Sequence, residues 1–79
     1  MRANDLTRMV NQIANFFEAY PEEEAAPLIA DHIRSFWARQ MRDELAAVLA
    51  GDAAATLTPL ARRGAEIAVD AGAASAAQR

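Results

Sequence analysis

The chain has 79 residues, of which 53% are hydrophobic, with a net charge of -3 and no Cys. One small domain is the upper bound, and its core is marginal without a partner, because much of the apolar fraction is Ala. The missing Cys excludes disulfides, thiolate metal sites and a Cys nucleophile, and the acidic balance speaks against a free-standing nucleic-acid binder. Every cation is Arg and none is Lys. With the heavy Ala usage this fits a GC-rich bacterial coding bias. No apolar run reaches the ~18 residues of a transmembrane helix, and no basic segment leads into an apolar one at the N-terminus. The expected location is the cytoplasm.

Asn4 or Asp5 can cap a first helix. Leu6, Met9, Val10, Ile13, Phe16, Phe17 and Tyr20 follow at spacings of three and four. They fall within an arc of roughly 120°, which predicts an amphipathic helix with one buried face that includes the Phe16-Phe17 pair. Pro21 stops it near Tyr20, since a residue before Pro avoids the α region. Glu22, Glu23 and Glu24 suit the positive end of a following helix. Either a short turn ends near Ala25, or the second helix carries Pro27 in its first turns; a regular helix is expected from about Pro27 to Trp37.

In that helix Ile29, Ile33 and Phe36 share a face, with His32 and Trp37 at its edges. Met41, Leu45, Val48 and Leu49 form a second set, out of phase with the first by roughly 100°. A break near Ala38 to Gln40 would realign them; an unbroken helix touching two surfaces is the other solution. Gly51 is the expected C-cap, followed by a loop of small residues. Thr58-Pro59 is a helix start, a hydroxyl cap before Pro at the first helical position. Leu57, Leu60, Ala61, Gly64, Ile67 and Ala68 then share a face, and Arg62 and Glu66 are spaced to pair. Gly64 costs about 1 kcal/mol inside a helix unless a close helix contact needs it. From Asp70 no large apolar residue follows. The expected fold is all-α: a bundle of three to four short helices over residues 1–69, with a frayed, flexible Ala-rich tail over 70–79.

Catalytic chemistry finds little support. His32 has no second His or Cys to complete a metal site, and no Ser-His-acid set is visible around Ser35 or Ser75. Glu22 to Glu24 lack the spaced ligands and Gly turn of a hard-cation loop, and no Gly-rich phosphate loop occurs. No catalytic, cofactor-binding or metal-ligating residue is expected on this chain. The segment from Asp31 to Met41 is different in kind. It holds the only Trp and the only His, and aromatic and Arg residues crowded together suit docking onto a protein. The expected partner-binding set is His32, Arg34, Phe36, Trp37, Arg39, Met41 and Arg42.

Three segments resemble one family. Met9-Val10-Asn11-Gln12-Ile13-Ala14-Asn15-Phe16-Phe17 resembles its Met-x-Asn-Gln-Ile opening with paired Phe. Ala30-Asp31-His32-Ile33-Arg34-Ser35-Phe36-Trp37, with Met41-Arg42 after it, resembles its central Asp/Asn-His-Leu-Arg-Arg-Phe-Trp segment. Leu57-Thr58-Pro59-Leu60 resembles Leu-Ser-Pro-Leu. Order and spacing agree across roughly residues 6–67. The family is the delta subunit of cytoplasmic, NAD-dependent, molybdenum-containing formate dehydrogenase. Departures are Ala38-Arg39-Gln40, where the family often has Pro, and Pro27 and Gly64. The resemblance implies a non-catalytic accessory subunit without a redox cofactor of its own. Partner subunits would carry bis-molybdopterin guanine dinucleotide, iron-sulfur clusters and FMN. A large catalytic subunit would oxidise formate to carbon dioxide, and diaphorase-like subunits would pass the electrons to NAD. The rival readings are a small helical regulator and a transient cofactor-insertion chaperone.

Overall fold

In a computed structural model the backbone is described for residues 3–77 and the side chains for residues 4–69. The described residues form four α-helices and no strand: α1 (Ala3–Phe17), α2 (Glu22–Phe36), α3 (Arg39–Leu49) and α4 (Pro59–Ala77). A 3-10 turn (Asp52–Thr56) links α3 to α4. The all-α expectation is borne out. The frayed tail falls on residues 70–79, whose side chains lie outside the described residues.

Local chemistry explains most of the boundaries. The first helix already includes Ala3, so Asn4 and Asp5 sit inside its first turn and not at its cap. It ends at Phe17, three residues before Tyr20, because the chain unwinds through a tight turn in which the Tyr20 N–H donates to the Phe17 carbonyl at 3.0 Å. Pro21 then takes an extended conformation and acts as the N-cap of α2, its carbonyl accepting from the N–H groups of Glu24 and Ala25 at 2.9 and 2.8 Å. The second helix therefore begins at Glu22, earlier than the Pro27 start, and carries Pro27 inside it. Pro27 lacks the N–H that would meet the Glu23 carbonyl. Both residues are exposed, so water can serve that carbonyl, and burial of Ala25, Ala26, Ile29, Ala30 and Ile33 holds the helix together.

The phase shift is resolved by a break. Trp37 and Ala38 are both extended, with ψ of 139° and 153°. Two residues of extended chain turn α3 so that Leu45 and Val48 face the same core as Ile29 and Ile33. The break, at Trp37 and Ala38, overlaps the start of the expected Ala38 to Gln40 position. Gly51 is not the C-cap: Ala50 ends α3 in a right-handed conformation, and no described residue has a positive φ. The α4 start matches its sequence signal, with the Ala61 N–H donating to Thr58 Oγ1 at 3.2 Å. Arg62 and Glu66 pair at 3.6 Å; both are half-exposed, and such a pair contributes a few tenths of a kcal/mol.

The core is small and rich in Ala. Leu6, Val10, Ile29, Ile33, Leu45 and Trp37 supply its bulk, and Ala14, Ala30, Ala61, Ala65 and Ala68 close the seams. The most extensive contact is between α2 and α4. Gly64 explains how close they come: a Cβ placed on it would stand 2.5 Å from Ile29 Cγ2 and 2.7 Å from Ile29 Cβ. The contact that would justify a helix-interior Gly is present.

Asn11 has a role that periodicity does not reveal. Its Nδ2 donates to the Thr56 carbonyl at 3.0 Å, and its Oδ1 accepts from the Thr58 N–H at 3.0 Å. One side-chain amide thus fastens α1 to the entry of α4, 45 and 47 residues away. Asn11→Ala is expected to lower stability by about 1–2 kcal/mol, the net value of two ordinary hydrogen bonds. Chemical denaturation would check it, and an unchanged midpoint would deny the clasp an energetic role.

Candidate functional site: an aromatic groove between α1 and α2

A four-residue link makes α1 and α2 antiparallel neighbours. On α1 the apolar arc divides. Leu6 and Val10, with Ala14 beside them, enter the core; Met9, Ile13 and Phe17 are half-buried; Phe16 and Tyr20 are exposed, at 76% and 50%. The Phe16-Phe17 pair is thus not core as a unit. The two rings meet edge-on, with centroids 5.0 Å apart. The core face of α1 is rotated toward Ala14 and Thr7, because Ala and a back-bonded Thr, whose Oγ1 donates to the Asn4 carbonyl, occupy the side that packs.

On α2 the residues Leu28, His32 and Phe36 recur every four positions along one stripe. Leu28 and Phe36 are exposed, Phe36 at 75%. His32 is half-buried, and its ring lies 4.7 Å from that of Phe36. Between the helices runs a groove of about 350 Å³, lined by Met9, Gln12, Ile13, Phe16, Phe17, His32 and Trp37. Its polar groups are few: one amide, one imidazole and the indole N–H. Among the described residues no group of three or more His, Cys, Asp or Glu could hold a metal ion. No described helix is long and apolar enough to cross a membrane.

The seven expected partner-binding residues are distributed unevenly over this surface. His32 and Trp37 line the groove, and Phe36 stands at its rim. Trp37 is only 7% exposed and belongs to the core. It forms the floor of the groove and not a projecting anchor. Arg34 is paired with Asp31 one helical turn away, and Arg39 is exposed at the start of α3. Met41 packs against the core, and Arg42 is half-buried with an Nε that has no acceptor. The α1 half of the groove was absent from that set. No local signal marked it, since an arc of roughly 120° is what an ordinary core-facing helix shows.

The family whose model matches this chain is described as the NADH-dependent formate dehydrogenase delta subunit, FdsD, over residues 5–65. No curated protein and no solved structure matches it. The matched segment spans α1, α2, α3, the 3-10 turn and the first turns of α4, and so includes both walls of the groove, the Asn11 clasp and Gly64. On that match, covering most of its length, the chain belongs to the delta-subunit family of NADH-dependent formate dehydrogenase.

Proposed function

We propose that the chain is a non-catalytic accessory subunit that docks on the large molybdenum-containing catalytic subunit of a formate dehydrogenase and supports its assembly or stability. The observation that carries docking is the exposed apolar surface. Phe16, Tyr20, Leu28 and Phe36 lie uncovered on α1, α2 and the turn between them, while the other large apolar side chains among the described residues lie in or against the core. Contiguous exposed apolar surface on a small domain marks an interaction site. Membership of the delta-subunit family supports a formate dehydrogenase complex as the partner of that surface.

In this reading the redox chemistry resides elsewhere. Bis-molybdopterin guanine dinucleotide, iron-sulfur clusters and FMN belong to partner subunits, which oxidise formate and reduce NAD in the cytoplasm. Among the described residues, the groove between α1 and α2 is mainly apolar and brings together few polar groups for such chemistry.

Affinity purification from native cells, with a tag after Arg79, tests the proposal. The expected eluate reduces NAD with formate and contains a large molybdenum-containing chain in equal amount with the tagged one. A tagged chain that elutes alone would refute the accessory-subunit reading. One present only in inactive, cofactor-free complex would make it a transient assembly factor instead.

A further inference from the structure

The charge around the groove is not evenly spread. From Met9 to Ile33 the sequence has five carboxylates and no Arg or Lys. Asp31 is held by Arg34. The other four, Glu18, Glu22, Glu23 and Glu24, are exposed and in no ion pair among the described residues. All four sit in and beside the turn joining α1 to α2, next to Phe16 and Phe17 at one end of the groove. The cations begin past its other end: Arg8 precedes Met9, and Arg39 follows Trp37, both exposed. The groove thus has one acidic end, while at the other Arg8 and Arg39 are offset by the exposed Asp5 and Asp43.

We infer that the groove between α1 and α2 receives an amphipathic helix of a partner subunit, its apolar face against Phe16 and Phe36 and its Arg or Lys residues at the Glu18–Glu24 tip. This rests on the accessory-subunit reading and adds the chemistry of the partner. A small ligand inside the groove would leave Phe16, Tyr20 and Phe36 on the rim uncovered; a helix laid along it covers them. A second copy of the chain is a poor occupant, since the exposed cations it would bring to the acidic tip, Arg8 and Arg39, each stand one helical turn from an exposed carboxylate, Asp5 and Asp43. A partner helix that is basic at one end meets the acidic tip in one direction only, so the charge also fixes its polarity.

The test uses full-length chains co-expressed with the other subunits of the complex. Three variants are compared with the parent: Phe16→Ala/Phe36→Ala, Glu18→Gln/Glu22→Gln/Glu23→Gln/Glu24→Gln, and the control Arg62→Ala/Arg63→Ala on the exposed side of α4. Every changed side chain is exposed, and circular dichroism verifies that each variant folds. The aromatic variant is expected to bind about tenfold more weakly, as loss of two interface anchors does. The Gln variant is expected to bind about threefold more weakly and to lose most of the salt dependence of the parent. The control binds like the parent. A Gln variant with the affinity and salt dependence of the parent would overturn the basic occupant, and an aromatic variant that incorporates fully would overturn the groove as the site. Self-association of the parent, abolished by Phe16→Ala/Phe36→Ala while complex formation persists, would assign the groove to a second copy and overturn the proposal. If the parent itself does not enter the complex, the accessory-subunit reading has failed; if only the variants behave unexpectedly, that reading stands and this inference falls.

Discussion

Trp37→Ala is expected to unfold the chain or to lower its melting temperature by about 15–30 °C, whereas Phe36→Ala next to it should leave stability nearly unchanged. Trp37 is 7% exposed and belongs to the core cluster that includes Leu45, Ile33 and Val48; Phe36 is 75% exposed. Truncating a buried Trp costs about 3–5 kcal/mol. A domain of this size holds roughly 4–12 kcal/mol in total, and each kcal/mol moves the midpoint by about 4–8 °C. Phe36 buries little, so its truncation should stay within about 0.5 kcal/mol. Thermal melts of the two proteins decide the matter. A Trp37→Ala protein that melts like the parent would mean that the ring does not hold the core, and its place as groove floor would fall with it.

Gly64→Ala should destabilise the chain by up to about 2 kcal/mol, against the usual sign of a Gly-to-Ala change in a helix. Helix propensity alone favours Ala by about 1 kcal/mol. Packing opposes it, because the new methyl would stand 2.5 Å from Ile29 Cγ2 and 2.7 Å from Ile29 Cβ. Ile29 Cβ is fixed to the backbone, and a β-branched side chain in a helix has one strongly preferred rotamer. Rotation therefore cannot relieve the clash, and α2 and α4 must separate, at the cost of overpacking. A double-mutant cycle provides the check. Ile29→Ala alone should cost about 2–5 kcal/mol, and the double variant should cost at least about 1 kcal/mol less than the sum of the singles. Additive values, or a Gly64→Ala protein more stable than the parent, would show that the seam is looser than its geometry implies.

What the sequence disclosed was chemistry confined to one or two helical turns. Thr58-Pro59 announces the start of α4 because the hydroxyl and the ring act on backbone groups three residues away. The mismatch of phase between Phe36 and Met41 requires a break, and the extended pair Trp37 and Ala38 supplies it. Gly64 signals a close approach without naming Ile29. Helical periodicity tells which side chains share a face, but not which part of that face a neighbour covers. For that reason Phe16 could be counted with the core and Trp37 with the outer surface. The groove needs two helices to exist, and the Asn11 clasp spans 45 residues; neither has a local signature. Pro27 left two readings open, and the helix that carries it is the one found: its backbone penalty is local, while the burial that overrides it comes from the opposite face of the same helix.

The α2–α4 seam also sets the order in which the chain can acquire structure. Ile29 and Gly64 are partners across 35 residues of sequence, and α2 leans on α4 more than on either of its sequence neighbours. During synthesis α1, α2 and α3 emerge first, with the Ile29 face still open to water. Pairings between distant segments form late because closing the intervening loop costs entropy before any contact compensates it. The nascent chain therefore remains sticky until its last helix is made. A chain truncated before Gly64 would lack the helix that covers the Ile29 face and would expose it as a site for aggregation.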